Sequence, residues 1–358
     1  MLKCIDLFSG AGGLSLGLSF SGFESVIAVE IEKDFAETFK INHPKTMVLQ
    51  KSISDVNFKT LLKKLKINQI DLLCGGPPCQ GFSTVGKKQE KDKRNSLFWE
   101  FLRAVKETKP RVVLFENVSG FKSLYKGAAF DTLVSELNNL GYTVQSEVLN
   151  SADYGAPQTR KRTIVIGVQK GLSFSFPEIL FTKEKTLFTK KYLSINDAIS
   201  DMPSLGHNDS NNKYLKPRND YQARMRKSVK TLTEHNSSNY GERMKEILSL
   251  IPKNGSVKDL PDRLRPKSCF GNTYARLDAN IPSPTITRNF GTPSSSRCIH
   301  PFQNRALSTR EGARIQGYPD NYYFFGSKTS KNLQIGNSVP VSLAEALGAE
   351  IFNTLNFQ

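Results

Sequence analysis

The chain has 358 residues, 38% of them hydrophobic, and carries 50 lysines and arginines against 33 aspartates and glutamates, a formal net charge of +17. Its mean hydropathy of -0.39, and the lack of any apolar run near the ~20 residues that span a bilayer, argue against a membrane protein. The excess of positive charge favours a polyanionic partner, either nucleic acid or an anionic membrane surface.

The first residues and the cysteines indicate a compartment. Residues 1–6 lead directly into a predicted strand and carry no signal-peptide pattern. The five cysteines, at positions 4, 74, 79, 269 and 298, are odd in number and scattered, unlike a disulfide framework. Cys74 and Cys79 lack the spacing of zinc ligands, and no histidine cluster accompanies them. We therefore expect a protein of the cytoplasm that binds no metal.

The chain opens with a strand, a glycine-rich turn and a helix. Residues 1–8 predict the strand, residues 9–13 the turn, and the leucines that follow predict the helix. This order is typical of a nucleotide-binding βα unit, although neither the phosphate-loop pattern nor the standard dinucleotide spacing is present. The next predicted strand, 25–29, ends at Glu30, where an acidic side chain can accept hydrogen bonds from both ribose hydroxyls.

Predicted helices and strands alternate through the following residues. Helices are expected over 33–41 and 61–67, and strands over 47–49 and 70–74. The alternation predicts a parallel, doubly wound sheet, whose ligands bind at the carboxyl ends of the strands. The glycine turn, Glu30, Ser52 and Cys79 are all expected at that edge.

A stiff turn follows the strand at 70–74. Gly75 and Gly76 allow close approach of a ligand to the backbone, and Pro77 and Pro78 fix the chain direction. A reactive thiol needs such rigid placement, so Cys79 is a candidate nucleophile. On this stretch alone, a passive cysteine at the end of a strand is the alternative.

A carboxylate follows the next strand. Residues 86–94 predict a charged mobile loop, 95–108 a helix, and 111–115 a strand rich in β-branched residues. Glu116 leaves this apolar strand at the same expected edge, which makes it a candidate proton donor. A glutamate that only caps the following segment is the alternative.

Basic residues stand before the last predicted strand and in a long irregular region. A helix is expected over 130–140, and strands over 142–150 and 163–168. Arg160, Lys161 and Arg162 precede the last of these, and guanidinium planes suit base edges and phosphates. From about residue 174 to 268 the periodicity weakens, which predicts a basic, loop-rich second domain or, alternatively, a structural insertion.

Two further helices are expected near the carboxyl terminus. Residues 305–319 predict a helix that is capped by Ser308 or Thr309 and ended by glycine and proline. Residues 334–340 lead into a final helix over 341–355.

In this order, several of these stretches resemble the motifs of the cytosine-5 DNA methyltransferases, the bacterial restriction–modification type in particular. They are residues 6–13 (Asp-Leu-Phe-Ser-Gly-Ala-Gly-Gly), 77–80 (Pro-Pro-Cys-Gln), 116–118 (Glu-Asn-Val), 158–162 (Gln-Thr-Arg-Lys-Arg), 305–319 and 336–340. The resemblance runs from the first strand to the last helix, and only residues 175–285 or so are variable in that family.

The resemblance implies an α/β fold with two domains. The first is a doubly wound, Rossmann-like domain that binds S-adenosylmethionine, over residues 1–185 and 330–358. The second is a smaller, loop-rich target-recognition domain over residues 186–329, with a cleft for DNA between the two.

The resemblance also implies catalytic roles. Cys79 would attack C6 of a cytosine flipped out of the duplex, and Glu116 would bond N3 and N4 and supply a proton. Arg162 would hold O2, and Arg160 would support that site. The methyl group then passes from S-adenosylmethionine to C5.

Cofactor contacts are implied for a larger set. Phe8 is expected against the adenine and Glu30 on the ribose. The remaining contacts are expected from Gly10, Ala11, Gly12, Gly13, Ile31, Ser52, Ile53, Gly76, Leu97, Asn337, Ser338 and Val339. Ser52 departs from the family, which usually has aspartate there, and its hydroxyl is a neutral acceptor on a shorter arm.

The expected partner is double-stranded DNA, and the expected setting is the bacterial cytoplasm or nucleoid. A restriction endonuclease acting on the same sequence without direct contact is a possible companion, and a monomer is expected. Two alternatives stay open: the same chemistry on tRNA, and a DNA-binding regulator that has lost catalysis.

Overall fold

The computed structural model describes residues 1–78, 93–295 and 298–357. The predicted nucleophile Cys79, and most of the loop predicted at 86–94, lie outside the described residues. No helix in the described ranges is long and apolar enough to cross a membrane.

A seven-stranded sheet forms the centre of the first of two compact units, which comprises Met1–Asn150, Lys161–Glu178 and Leu343–Gln358. Its strands are β1 (Leu2–Leu7), β2 (Phe23–Glu30), β3 (Met47–Gln50), β4 (Leu72–Gly75), β5 (Val112–Val118), β6 (Tyr142–Asn150) and β7 (Lys161–Gln169). Their spatial order is β3-β2-β1-β4-β5-β7-β6, with β7 antiparallel to both neighbours and the other pairs parallel. The doubly wound α/β fold expected from the sequence is confirmed.

The helices connect these strands and continue into the second unit. They are α1 (Gly13–Phe20), α2 (Lys33–Asn42), α3 (Phe58–Lys64), α4 (Lys93–Thr108), α5 (Ala128–Asn139), α6 (Ile195–Ile199), α7 (Asp220–Met225), α8 (Glu242–Leu250), α9 (Thr309–Ile315), α10 (Lys328–Asn337) and α11 (Val341–Asn356). Helix α3 begins earlier than the 61–67 expected, because the Asn57 side chain accepts a hydrogen bond from the Thr60 N–H and caps the helix there.

The central strands are buried because helices cover the sheet. Ile5, Leu73, Val113 and Phe115 are each 0% exposed and belong to one apolar cluster. Continuous apolar runs are what parallel strands covered on both faces require. The polar residues at the strand ends are therefore the candidates for a functional site.

The second compact unit comprises Ser151–Arg160 and Ile179–Ser342. It has little regular structure beyond α6–α10 and the pairings Phe181–Thr182 with Lys190–Lys191 and Gln158–Thr159 with Ser283–Pro284. Short 3-10 segments, such as Val257–Asp259 and Asp262–Leu264, lie beside α8 in the chain. Assignment of residues 186–329 to target recognition stays a prediction.

The helix expected over 305–319 is shorter in the structure, where α9 covers only Thr309–Ile315. Ser308 and Glu311 form a capping box, and Ala306 is instead in a bridge with Ile299. A strong cap therefore fixes the start of the helix at Ser308, which the sequence correctly suggested, but excludes the residues before it. Helix α10, which contains Gly336 and Asn337, was not expected.

Buried ion pairs hold α9 in the second unit. Arg305 donates to both oxygens of Glu311 at 2.8 and 2.7 Å, and although burial opposes it, this guanidinium holds the pKa of Glu311 below its usual range. Arg314 donates to Asp201 at 2.8 Å and to Asp320 at 2.6 Å, and all three are buried. Removing one partner of such a pair leaves an uncompensated buried charge, so these residues fix the position of α9.

The packing of α9 leads to a stability prediction for Gly312→Ala. A Cβ at Gly312 would lie 2.3 Å from two ring carbons of the fully buried Phe290. We expect the overpacking to lower the free energy of unfolding by about 1–3 kcal/mol. Urea titration checks this against Gly120→Ala, because nothing lies within 4 Å of a Cβ there. Equal midpoints for the two variants would contradict the packing described.

Candidate active site

The turn after β1 is tied to the end of β2 by Glu30. Phe8, Gly10 and Gly12 have φ values of 57°, 55° and 86°, so the chain turns sharply before α1. The Gly10 N–H donates to Glu30 Oε2 at 2.8 Å, and the Glu32 N–H donates to Oε1 at 2.9 Å. Burial raises the pKa of Glu30, and these two N–H groups oppose the shift. The structure thus brings together the two parts of the predicted cofactor site that the βα pattern suggested.

The same turn has unused hydrogen-bonding capacity. The Ser9 hydroxyl is buried and has no hydrogen-bond partner among the described residues. The Glu30 carboxylate accepts the N–H groups of Gly10, Ile31 and Glu32, and two carboxylate oxygens together can accept about four donors. Buried polar groups are normally paired, so this arrangement fits a polar ligand bound at the turn.

Asp6 lies beneath the turn, and the sequence analysis assigned it no role. Its Oδ2 accepts a 2.6 Å hydrogen bond from the Ser15 hydroxyl, which is also 2.7 Å from the Ser25 hydroxyl. Burial, and to a smaller degree the charge of Glu30, raise the pKa of Asp6 to about 7. The only signal in the sequence was its place at the end of an apolar strand.

The other predicted cofactor residues of the first unit differ in their surroundings. Phe8 and Leu97 are partly buried against the apolar cluster that includes Ile53. Ile31 is 62% exposed. The Ser52 hydroxyl lies 2.7 Å from that of Ser54 and accepts from the Ser54 N–H, so it caps the 3-10 segment Ile53–Asp55.

Gly76 permits a close approach of Glu116 at the ends of β4 and β5. A Cβ at Gly76 would lie 2.7 Å from Glu116 Oε2 and 3.2 Å from the Glu116 carbonyl oxygen. Any other residue would therefore displace the carboxylate. Glycine at this point is a requirement of the site rather than of the turn alone.

Arg162 and Asn117 complete this arrangement. The Arg162 Nε lies 2.7 Å from Glu116 Oε1, because β7 runs antiparallel to β5 and pairs Ile164 with Glu116. Asn117 Nδ2 donates to the Pro77 carbonyl at 2.9 Å. The carboxylate, the guanidinium and the chain that leads towards Cys79 are therefore held together by three neighbouring strands.

Arg160 has a different environment from Arg162, although only one residue separates them. It is 3% exposed, and its two amino groups donate to the carbonyls of Ile286 at 3.1 Å and Gly336 at 3.0 Å. These contacts hold two segments of the second unit and make Arg160 a positioning residue.

Gln158 extends the same set of contacts and was not assigned a role from the sequence. Its Nε2 donates to Gln316 Oε1 at 2.6 Å, and its Oε1 accepts from the Ile286 N–H at 2.8 Å. The Gln316 side chain in turn donates to the Ser338 carbonyl. The position of Gln158, two residues before Arg160 in the same motif, was the available signal.

Asn337, Ser338 and Val339, the remaining predicted cofactor residues, lie at and just after the end of α10 in the second unit. The Ser338 hydroxyl is engaged, 2.6 Å from the Tyr318 hydroxyl and 2.8 Å from the Gln334 carbonyl. Asn337 is exposed. Their cofactor contacts stay a prediction.

A sheet of this order, with a glycine-rich turn after β1 and an acid at the end of β2, is typical of doubly wound α/β proteins that bind nucleotide-like ligands. The family model for C-5 cytosine-specific DNA methylase matches residues 2–353. The chain belongs to this family, as the motifs in the sequence suggested, and it is a DNA cytosine-5 methyltransferase.

Two curated relatives are similar over almost the whole chain. The Type II methyltransferase M1.HphI of Haemophilus parahaemolyticus is 35% identical, over 98% of this chain and 86% of its own length. The Type II methyltransferase M.DdeI of Desulfomicrobium norvegicum is 34% identical, over 98% of this chain and 88% of its own.

Two solved structures are similar to this chain along almost its whole length. A crystal structure described as a prophage-encoded DNA modification methyltransferase from E. coli has a TM-score of 0.79 and 29% identity, and covers 99% of this chain and 100% of its own. Spodoptera frugiperda DNMT2, at 17% identity and a TM-score of 0.65, covers 98% and 100% of the two chains and shows a similarity of fold.

The raised pKa of Asp6 leads to a prediction about pH and stability. In the folded protein Asp6 keeps its proton up to about pH 7, against 3.8 for its ordinary pKa. The folded state therefore binds more protons than the unfolded state between about pH 4 and 7. We expect this group to make the free energy of unfolding fall as pH rises through that window, with a slope approaching about 1.4 kcal/mol per pH unit.

Chemical denaturation at several pH values tests this with Asp6→Asn. Asparagine keeps the shape without a titrating group, so the difference between wild type and variant should shrink as pH rises. Asp131→Asn, at an exposed site, is the control and should leave the slope unchanged. If Asp6→Asn shows the same slope of unfolding free energy against pH as the wild type, another group is responsible for the slope.

Proposed function

We propose that the chain transfers a methyl group from S-adenosylmethionine to C5 of a cytosine flipped out of a specific duplex DNA sequence, protecting that DNA in a restriction–modification system. The observation that carries the proposal is the arrangement of Glu116 against Gly76 and Arg162 at the strand ends. It sets a carboxylate and a guanidinium beside the chain leading to Cys79, in a member of the cytosine-5 family.

The cofactor is proposed to bind at the turn after β1. Glu30 is held so that its oxygens face the turn backbone and can also accept ribose hydroxyls. Phe8 would contact the adenine, and the Ser9 hydroxyl, which lacks a partner among the described residues, would bond the polar end of the ligand. When bound, S-adenosylmethionine supplies an electrophilic methyl group.

The protein groups have to activate the cytosine, because C5 of the intact aromatic ring is a poor nucleophile. In the proposed mechanism the Cys79 thiolate forms a bond to C6, and the ring electrons move towards N3 and C5. Glu116 takes up a proton from solvent when the cytosine binds, donates that proton to N3, and accepts a hydrogen bond from the exocyclic N4 group with its other oxygen. The nucleophilic C5 then gains the methyl group.

Release restores the ring. A base removes the proton from C5, the C5–C6 double bond forms again, and the bond between Cys79 and C6 breaks to return the thiolate. The proton at N3 returns to the Glu116 carboxylate at the same stage. No group is oxidised or reduced, so the chain needs no redox partner for its part of the reaction.

Arg162 has two proposed roles. It orients Glu116 through the 2.7 Å ion pair, and its remaining N–H groups are suited to cytosine O2. A guanidinium has five donors in a fixed plane, so it can serve a carboxylate and a carbonyl oxygen at the same time. Arg160 contributes indirectly, by holding the segments around Ile286 and Gly336.

Flipping is required because the target ring is stacked and inaccessible inside the duplex. Residues 186–329 are proposed to select the sequence, with lysines and arginines contacting phosphates. We further propose that the protein acts as a monomer in the bacterial cytoplasm, without a metal, and shares its target with an endonuclease that it does not contact.

Calorimetric titration of S-adenosylmethionine tests the cofactor proposal with Glu30→Ala. The substitution removes an acceptor for the ribose hydroxyls and the bond that holds the Gly10 N–H. We expect affinity to fall by roughly 10- to 150-fold, which corresponds to ~1.5–3 kcal/mol for hydrogen bonds to a charged group. Glu32→Ala is the control, since its side chain is exposed and only its backbone contacts Glu30. Equal affinities for the two variants would contradict the assignment.

The covalent step is tested with DNA that carries 5-fluorocytosine. Bisulfite sequencing of DNA from cells that express the protein first identifies the target. Fluorine at C5 cannot leave as a cation, so the enzyme should stay bonded to a fluorinated target and survive denaturing gel electrophoresis. The adduct should need S-adenosylmethionine, and Cys79→Ser should reduce it to background.

The exposed Cys269 provides a matched control for this experiment. Cys269→Ser should form as much adduct as the wild type, and Glu116→Gln should form it slowly because an amide donates no proton to N3. An adduct of Cys79→Ser equal to that of wild type would disprove the nucleophile. If the enzyme methylates tRNA and no duplex DNA, tRNA is the substrate and the proposal of duplex DNA is wrong.

A further inference from the structure

An apolar tip stands out on the surface of the second unit. Residues 183–189 form a loop between the paired segments Phe181–Thr182 and Lys190–Lys191. At its tip, Leu187 and Phe188 are 97% and 92% exposed, and no other large apolar side chain in the described residues exceeds 90%. Single exposed apolar residues are ordinary, but adjacent apolar side chains that are almost fully exposed to water often mark an interaction site.

The loop is held in one shape by threonine hydroxyls. The Thr189 hydroxyl lies 2.6 Å from that of Thr182 and 2.8 Å from that of Thr186. The Thr186 hydroxyl also accepts from the N–H groups of Phe188 and Thr189, at 3.2 and 3.0 Å. The two apolar side chains are therefore presented by a preformed turn, so binding through them would require little further ordering.

The base of the loop is anchored to the segment that leads into Gln158. The Tyr192 hydroxyl donates to Asp153 at 2.6 Å, and the Leu180 N–H donates to the Asp153 carbonyl at 3.0 Å. The Phe181 ring lies against Gly155, where a Cβ would be 2.9 Å from it. The tip is thus rigidly connected to its own unit.

The tip is surrounded by positive charge. Lys183, Lys185, Lys190 and Lys191 are all exposed, and Glu184 is the one acidic residue between them. In the described part of the chain, none of these four lysines forms a salt bridge. These lysines are available to bind an anionic partner. The same partner must also offer an apolar surface to Leu187 and Phe188.

We infer that the 183–189 loop is a DNA-contacting wedge: Phe188, supported by Leu187, inserts between bases of the bound duplex, and the four lysines contact the flanking phosphates. The inference rests on the proposed function, since it assumes that duplex DNA is the substrate. Apolar wedges flanked by cations are a recurrent means of opening a base step. Unstacking a neighbouring step would lower the cost of extruding the target cytosine.

The test uses a short duplex containing the target found by bisulfite sequencing, with 2-aminopurine placed in turn at each position on both sides of the target. Unstacking raises 2-aminopurine fluorescence. Wild type should give a rise at one flanking step, and Leu187→Ser/Phe188→Ser should abolish that rise and weaken DNA binding by about tenfold or more, the scale of one aromatic–base contact.

Phe357→Ser is the matched control. Phe357 is also strongly exposed, at 78%, and has no lysine cluster beside it in the sequence. It should change neither the fluorescence nor the affinity. Because all three side chains are exposed, the variants should melt at the wild-type temperature, which separates a weakened DNA interaction from misfolding.

Salt dependence distinguishes the two kinds of contact. Replacing the four lysines by glutamine should reduce the slope of log affinity against log salt by about 0.9 for each phosphate that the variant no longer neutralises. Leu187→Ser/Phe188→Ser should lower affinity at every salt concentration without changing that slope.

Three outcomes would overturn the inference. Unchanged DNA affinity and fluorescence in the Leu187→Ser/Phe188→Ser variant, with wild type active on the same duplex, would exclude the wedge and leave the proposed function intact. Sedimentation of wild type, but not the variant, with phosphatidylserine vesicles, at equal DNA affinity, would assign the loop to a membrane surface. A wild type that binds and methylates no duplex would reject the proposed function together with the wedge.

Discussion

The site depends on one close approach, that of the Gly76 backbone to the Glu116 carboxylate. A Cβ at Gly76 would lie 2.7 Å from Glu116 Oε2 and would displace the carboxylate, so glycine lets the end of β4 lie against the acid on β5. Asn117 fixes the same strand end by its bond to Pro77, and Arg162 holds the carboxylate from β7. Cys79 follows Pro78 directly in the sequence but lies outside the described residues, so its part in the site stays a prediction. A carboxylate, a guanidinium and a nucleophile can act on one ring only if their strands are fixed in this way.

The second unit is stabilised differently. It has few strands, and beside an apolar cluster that includes Ile247 and Leu260 it contains buried polar pairs: Arg305 with Glu311, Arg314 with Asp201 and Asp320, and Gln158 with Gln316. Such groups are expensive to bury and tolerate few alternative arrangements. The assignment of DNA sequence recognition to this unit stays a prediction.

Buried acids beneath the turn link stability to the cofactor site. Asp6 and Glu30 lie at or near the ends of neighbouring strands, and burial raises the pKa of both, with the charge of Glu30 adding to the shift of Asp6. Glu30 is compensated by backbone N–H groups and Asp6 chiefly by the Ser15 hydroxyl. Backbone N–H groups stabilise the charged form of Glu30, which suits this carboxylate to accept ligand hydroxyls. Asp6 has less such stabilisation and remains a largely neutral structural group below about pH 7.

The sequence by itself determined the sheet, the glycine turn, Glu30 at the end of β2, and the cap at Ser308. These features depend on local periodicity and turn chemistry, which neighbouring residues carry. It also supplied the family, through the order of its motifs, and the structure and the comparisons agree. The residue roles within that family stay predictions, Cys79 first among them. Only the tertiary structure decided that Glu116 meets Arg162 while Arg160 is buried against Ile286 and Gly336. It also decided that Leu187 and Phe188 lie uncovered. Pairing and exposure of this kind depend on residues far apart in the chain, whose approach no local pattern specifies.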